Sequence, residues 1–251
     1  MLTVKNLYKS YKTNNIKYDV LKNVYFKIHK GEFVAVMGPS GSGKTTLLNT
    51  ISQYIPSDKG EILLNGESII GLKEDNLAYI RNEKLGFVFQ DFMLLDGLTV
   101  FENICLPQII ADKNIVSMES SVNKLCDFFC ISHIKNKYPA EISGGEKQRT
   151  AVARALINNP FLILADEPTG NLDSKSSRTV IEAFINAKNK LSATIFMVTH
   201  DSFSASFCDR VLVLRDGEIY KELKKETNRT EFLDLLLKTL KELGGENNDY
   251  E

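Results

Sequence analysis

Apolar and polar positions follow two periods along this chain. Near the N-terminus they alternate: Leu2, Val4 and Leu7, then Val20, Val24, Phe26 and Ile28, the pattern of strands with one buried face. Gly31 turns the chain into Phe33-Val34-Ala35-Val36-Met37, an unbroken apolar run that reads as a buried strand. Glu61 to Leu64 predicts another strand, ended by the turn pair Asn65-Gly66, and Leu85 to Phe89 a short one that stops at Gln90. From about 99 to 158 the spacing becomes helical, with Val122, Leu125, Cys126 and Phe129 on one face. A strand at Phe161 to Ala165, a helix near 174–190 and a strand at Ala193 to Val198 follow. Val211 to Tyr220 carries Asp216-Gly217 between apolar runs, a hairpin signal.

Strands alternating with helices predict an α/β core with a mostly parallel sheet, joined by an antiparallel β subdomain and a helical subdomain over about 91–158. Residues 1–228 would form this unit. Residues 229–251 would add an amphipathic helix, striped by Phe232, Leu236, Leu240 and Leu243 and ended by Gly244, and then a polar acidic tail expected to be disordered. The stripe is expected to pack on its own domain. A docking or dimer surface is the alternative, and a membrane surface a more distant one.

With 251 residues, 43% of them hydrophobic, the chain can bury a sizeable core as one large domain or two small ones. A formal net charge of −1 without a long basic run argues against a nucleic-acid partner. No window approaches the ~18 apolar residues of a spanning helix, and the N-terminus has no basic-then-apolar leader. These features predict a cytoplasmic protein. Cys105, Cys126, Cys130 and Cys208 show no zinc-like pairing. Cys126, Cys130 and His133 would share a helical face, read as small apolar residues on a packed helix rather than as a metal site.

The chemistry begins at Gly38-Pro39-Ser40-Gly41-Ser42-Gly43-Lys44-Thr45, a complete G-x-x-x-x-G-K-[ST] loop between a strand and the helix opened by Thr46-Leu47-Leu48. Backbone N–H groups of such a loop cradle phosphate oxygens, helped by the positive end of the helix. Lys44 would reach the β- and γ-phosphates, and the Thr45 hydroxyl would serve Mg²⁺. Leu162 to Ala165 then ends in Asp166-Glu167, placing two carboxylates beside that loop. Asp166 would hold Mg²⁺, and Glu167 would orient and polarise the attacking water, the division of labour that phosphoryl transfer needs. Between them, Ser143-Gly144-Gly145-Glu146 opens a second helix able to hold an anion. The alternative for Ser143 is ordinary N-capping. One site scarcely needs two such helix starts, which suggests a site completed by a second copy.

In order along the chain stand the phosphate loop at 38–45, Gln90, Ser143-Gly144-Gly145, Asp166-Glu167, Gly170-Asn171-Leu172-Asp173 and His200 in Val198-Thr199-His200-Asp201. This combination resembles the ATP-binding cassette family of transport ATPases over nearly the whole chain. The resemblance implies a homodimer in the ATP-bound state, paired head to tail around two ATP molecules. Gly38, Ser40, Gly41, Ser42, Gly43, Lys44, Thr45 and Thr46 of one copy would hold the triphosphate that Ser143, Gly144 and Gly145 of the other copy contact. Gln90 would sense Mg²⁺ and the attacking water, His200 would contact the γ-phosphate, and Asp173 would communicate across the dimer. Tyr11 is the candidate to stack on adenine, with Tyr8 and Tyr18 as rivals; the alternative is a half-exposed strand aromatic. For His200 the alternative is a packed core histidine. One position departs from the family pattern: Glu146 stands where Gln is usual, and its carboxylate would need solvent, Lys147 or Arg149 to offset it.

The phosphate-loop run through Asn49 and the run Asp166 to Asp173 resemble the branch serving macrolide-efflux, lipoprotein-releasing and cell-division permeases. Phe89 to Val100 and Leu240 to Gly245 are similar to the bacitracin-type resistance ATPases. The implied protein is a Mg²⁺-dependent ATPase on the inner face of the membrane, bound to a separate permease through a groove near Phe92, Met93 and Leu94. A sensor kinase is a further candidate partner. A division-type cassette without peptide-antibiotic function is the alternative; a DNA-repair or ribosome-associated cassette fits less well, because those carry long insertions or two cassettes in one chain.

Overall fold

The computed structural model describes residues 1–14 and 16–245; the polar stretch from Glu246 lies outside them. The alternating N-terminal residues form β1 (Leu2–Thr13) and β2 (Ile16–Ile28), paired antiparallel. The apolar run that follows is β3 (Phe33–Met37), and the phosphate loop leads into α1 (Lys44–Ile51). β4 (Lys59–Leu64) and β5 (Glu67–Ser68) complete a four-stranded antiparallel sheet in the order β2-β1-β4-β5. α2 (Glu74–Glu83) and β6 (Leu85–Phe89) precede the helical region, α3 (Val100–Ile110), α4 (Ile115–Phe128) and α5 (Gly144–Leu156). Beyond it lie β7 (Leu162–Asp166), α6 (Ser174–Leu191), β8 (Ile195–Val198), the single turn α7 (Ser202–Ala205), the hairpin β9 (Arg210–Arg215) and β10 (Glu218–Lys224), and α8 (Arg229–Gly245).

The second sheet runs β10-β9-β3-β8-β7-β6, parallel throughout except for the β9–β10 hairpin. It is buried on both faces, as a parallel sheet is, and β3 divides its side chains by parity. Val34 and Val36 join the core shared with the antiparallel sheet and α1. Phe33, Ala35 and Met37 face the other core, built with the helical region, α6 and α8. α1 is thus sandwiched between sheets through Leu47, Leu48 and Ile51, whereas α5 packs Val152, Ala153 and Leu156 on the opposite face.

α2 gives no apolar stripe to read, since none of its residues is buried. Two local expectations need correction. The stripe of α8 does pack on this chain, with Phe232, Leu236 and Leu243 buried and Leu240 against the same core. Its helix, however, runs through Gly244 to Gly245 instead of ending there. The imagined face of Cys126, Cys130 and His133 does not form either. α4 stops at Phe128, Cys130 is exposed beyond it with φ 54°, and His133 sits in a separate 3-10 turn. Among the described residues no three His, Cys, Asp or Glu side chains form a metal cluster, and no helix is long and apolar enough to cross a membrane.

Candidate nucleotide-binding site

Parallel strands aligned side by side bring their C-terminal ends to one edge, where ligands of open α/β sheets bind. Val36 of β3 is in register with Val198 of β8, and Val198 with Asp166 of β7. The next residues stay linked: Thr199 N–H donates to Val36 O at 3.1 Å and Glu167 N–H to Val198 O at 2.9 Å. The phosphate loop, the two acids and His200 therefore share one edge, although 33 residues separate Glu167 from His200 and more separate either from Lys44.

The loop is closely fitted. A Cβ on Gly38 would lie 2.0 Å from the Leu214 carbonyl oxygen, so no side chain is tolerated there. α1 begins without a side-chain cap and with no acid in its first turn, leaving its N-terminal dipole and amides for an anion. Lys44 folds back, donating to the carbonyls of Gly38 and Pro39 at 2.8 Å each. Burial holds its pKa below the usual lysine value, against the pull of Glu167 and Asp166. Ser40, Gly41 and Thr45 are exposed, Gly43, Lys44 and Thr46 half-buried, and Gly38 and Ser42 buried.

Asp166 has the electrostatics of a cation ligand. Burial, then the neighbouring Glu167, raises its pKa, while Thr45 and Lys44 oppose the rise. Its Oδ1 is buried without a hydrogen-bond donor among the described residues. A desolvated, half-satisfied carboxylate beside a threonine hydroxyl fits Mg²⁺, and Asp166 and Thr45 are the residues that could hold it. A carboxyl whose pKa is raised by folding binds its proton more tightly in the folded state, so at neutral pH its charge costs stability, and the cost fades as pH falls through the raised pKa. Asp166→Asn should therefore raise the unfolding midpoint of the nucleotide-free protein at pH 7. Calorimetry across pH should show the gain shrinking in acid; a lowered midpoint at pH 7 would overturn this account.

Glu167 occupies the left-handed region at φ 46°, a conformation uncommon for a non-glycine residue and frequent at functional sites. Its carboxylate is held by His200, with Nδ1 2.9 Å from Oε1 and the backbone N–H 3.3 Å from Oε2. His200 is 70% exposed, so it is not a packed core histidine. Gln90, just past β6, donates to Asn171 Oδ1 at 2.9 Å, and Asn171 donates to Asp91 Oδ1 at 2.6 Å. Gly170 leaves room for that side chain: a Cβ on it would meet Gln90 Nε2 at 2.9 Å, and Gln90 would have to shift. Asp173 caps α6, accepting from the backbone of Lys175 and Ser176 and from the Ser176 hydroxyl. Tyr11 pairs across strands with Tyr18, two residues before Val20. The Val20 carbonyl would lie 2.9 Å from a Cβ on Gly43, so this strand pair abuts the phosphate loop. Tyr8, Tyr11 and Tyr18 are all exposed, and Lys9 Nζ lies over the Tyr11 ring at 5.4 Å.

The Ser143-Gly144-Gly145 turn is elsewhere. Its helix lies on the other side of the sheet from α1, and its neighbours are Leu172 and Phe92 at Gly144 and Ser176 at Gly145. Ser143 does cap α5, in a reciprocal box with Glu146. The Glu146 carboxylate makes its direct contacts with neither Lys147 nor Arg149, though the Arg149 charge does help to hold its pKa down: it accepts from Ser143 and meets His133, because the box geometry fixes the third helical residue back onto the cap.

Two residues that the sequence alone does not single out tie these parts together. Arg154, whose pKa burial lowers, donates to the carbonyls of Phe92, at 2.8 Å, and Met93. It pins the loop after Gln90, where Phe92 and Met93 both have positive φ, onto α5. Beside it, a cavity of about 440 Å³ opens between core and helical region, lined by Tyr54, Arg81, Phe87, Met93, Leu106 and Ile110 among others. Met93 is 56% exposed at its rim, while Phe92 and Leu94 are half-buried. Asn171 belongs to a recognisable run, but its bond to Gln90 spans 81 positions and has no local signal.

A strand, phosphate loop and helix with paired acids at the tip of a nearby parallel strand define a P-loop nucleotide-binding protein. The chain belongs to the ABC transporter family: the family model described as ABC transporter matches residues 21–170. It is similar to the ABC transporter ATP-binding protein YxdL of Bacillus subtilis (strain 168), 49% identical over 249 residues that span 99% of this chain and 96% of the relative. It is also similar to the bacitracin export ATP-binding protein BceA of Halalkalibacterium halodurans, 46% identical over 252 residues, covering 100% and 99%. Among solved structures, the ATP-binding cassette MJ0796 in a dimeric post-hydrolysis state bound to ADP and Pi superposes with a TM-score of 0.81 at 38% identity, over 91% of this chain and all of that one. The chain is thus an ATP-binding subunit of an ABC transport system, with the ATPase cassette fold that its sequence resembles.

Proposed function

We propose that this chain is a Mg²⁺-dependent ATPase that works as a head-to-tail pair and drives a separate membrane permease, in defence against bacitracin-like peptide antibiotics. One observation carries the paired site: α1 and α5, the two helix starts able to bind phosphate, lie on opposite faces of one sheet. A single copy holds both halves but cannot close them on one nucleotide, whereas two antiparallel copies can. The dimeric state of the MJ0796 cassette supports this pairing.

In this reading the loop amides from Gly38 to Thr46 and the Lys44 ammonium bind the β- and γ-phosphates, and Tyr11, beside Tyr18, stacks on adenine. Ser143, Gly144 and Gly145 of the other copy close over the γ-phosphate, and Asp173, at the head of α6, carries the contact between copies. Glu167 takes a proton from the attacking water, released from its pair with His200 when the γ-phosphate offers His200 a stronger partner. Mg²⁺, on Thr45 and Asp166 with Gln90 nearby, would supply charge neutralisation at the phosphates. Gln90 leaves Asn171 to reach the site, and Arg154 passes that movement to α5 and to the groove beside Met93. The groove receives a helical segment of the permease, which holds the chain at the inner face of the membrane.

The peptide-antibiotic reading is supported by full-length similarity to a bacitracin export ATP-binding protein. It is tested by expressing the chain with its cognate permease in a bacitracin-sensitive strain. Resistance should rise and should be lost in Met93→Glu, which should fail to copurify with the permease while binding ATP like the parent. Undiminished copurification would reject the groove as the permease site, and no protection by the parent pair would reject the substrate class.

A further inference from the structure

The start of α5 carries a carboxylate directly beside the serine that, in the paired reading above, must meet a γ-phosphate. Glu146 Oε2 lies 2.9 Å from Ser143 N and 2.7 Å from Ser143 Oγ. Its other oxygen, Oε1, lies 3.1 Å from His133 Nε2. A hydroxyl has one proton to give, and here that proton points at Glu146. The hydroxyl's acceptor side is occupied as well, facing the Glu146 N–H at 3.4 Å. The Ser143 hydroxyl, ahead of the Ser143 backbone N–H and His133, draws the Glu146 pKa below its ordinary value, so the group stays anionic. A γ-phosphate arriving from the other copy would ask for the same serine proton.

We propose that His133 is a positioning residue for Ser143: it occupies the second oxygen of Glu146, so the serine hydroxyl can turn to the γ-phosphate and two copies can close on ATP. The inference rests on the paired reading. His133 is well placed for this. Its ring is 65% exposed while Glu146 is 20% exposed, so the imidazole covers the carboxylate from the open side. Buried Ile134, in the same 3-10 turn, anchors the backbone beneath it. When the hydroxyl rotates away, Glu146 keeps the Ser143 N–H and the His133 contact, and the cap persists. With Gln at 146, a neutral amide oxygen would answer the Ser143 N–H and compete only weakly for the hydroxyl proton, and His133 would have little to offset.

The test is a double-mutant cycle in a Glu167→Gln background, measuring ATP-driven dimerisation by sedimentation. His133→Ala should weaken the dimer about threefold to tenfold, since one exposed polar contact to a carboxylate is lost at each of two sites. Affinity for ADP, read by a fluorescent analogue, should be unchanged, because the phosphate loop lies in the other half of the site. In Glu146→Gln protein the same His133→Ala change should have no effect. An equal loss in both backgrounds would make His133 a general support of the loop and overturn the proposal, as would no loss with Glu146 present. If Glu167→Gln does not dimerise with ATP at all, the paired reading itself fails and takes this inference with it.

Discussion

Glu167→Gln should slow ATP hydrolysis by at least about a hundredfold, the lower range for removing a general base, while ATP binding persists and the protein accumulates as an ATP-bound dimer. Glutamine keeps the size of the side chain and its oxygen can still accept from the His200 backbone, so the left-handed turn at 167 loses little. What disappears is the capacity to take a proton from water. In the proposed pair, closure would depend on the phosphate loop of one copy and the α5 start of the other, neither of which includes residue 167, so the closed state should form but not discharge. Single-turnover hydrolysis and light scattering check both halves. Hydrolysis at the parent rate would remove Glu167 from the role of base.

Lys44→Ala should weaken nucleotide binding by roughly a hundredfold. Hydrogen bonds to charged groups contribute about 1.5–3 kcal/mol each, and the ammonium is placed to serve two phosphates, so a loss near 3 kcal/mol is expected. The variant should nevertheless stay folded. Burial depresses the Lys44 pKa, which means its charge costs the nucleotide-free fold stability at neutral pH, and that cost would be relieved only as pH rises through the depressed value. The unfolding midpoint of nucleotide-free Lys44→Ala should therefore stay near the parent's, and calorimetry beside titration separates lost binding from lost structure. Unchanged affinity would dismiss the phosphate-loop assignment.

Legibility in the sequence followed the range of the interactions. β3, α1 and β7 were readable because each is a local pattern, an apolar run or a helix start whose burial follows from its own residues. The same holds for the Asp216-Gly217 hairpin, where both turn residues take positive φ. α2 was unreadable for the converse reason: a helix with no buried face leaves no period to detect. The cysteine helix misled because spacing alone does not say where a helix stops, and α4 stops before Cys130. Arg154 looked like one charge among many on α5; only folding brings two carbonyls, 61 and 62 positions away, to its guanidinium.

By itself the sequence determined the chemistry on offer: a phosphate cradle, a paired acid, a capped helix able to hold an anion, and the order in which they occur. Those depend on residue identity and local backbone preference. Tertiary structure decided which of them meet. Strand order in the parallel sheet sets Glu167 against His200 and Asp166 beside Thr45, while the sheet itself stands between the phosphate loop and the Ser143 cap. A sheet buried on both faces keeps what is packed on one side from reaching the other, and that is the physical reason for proposing that a second copy completes the site.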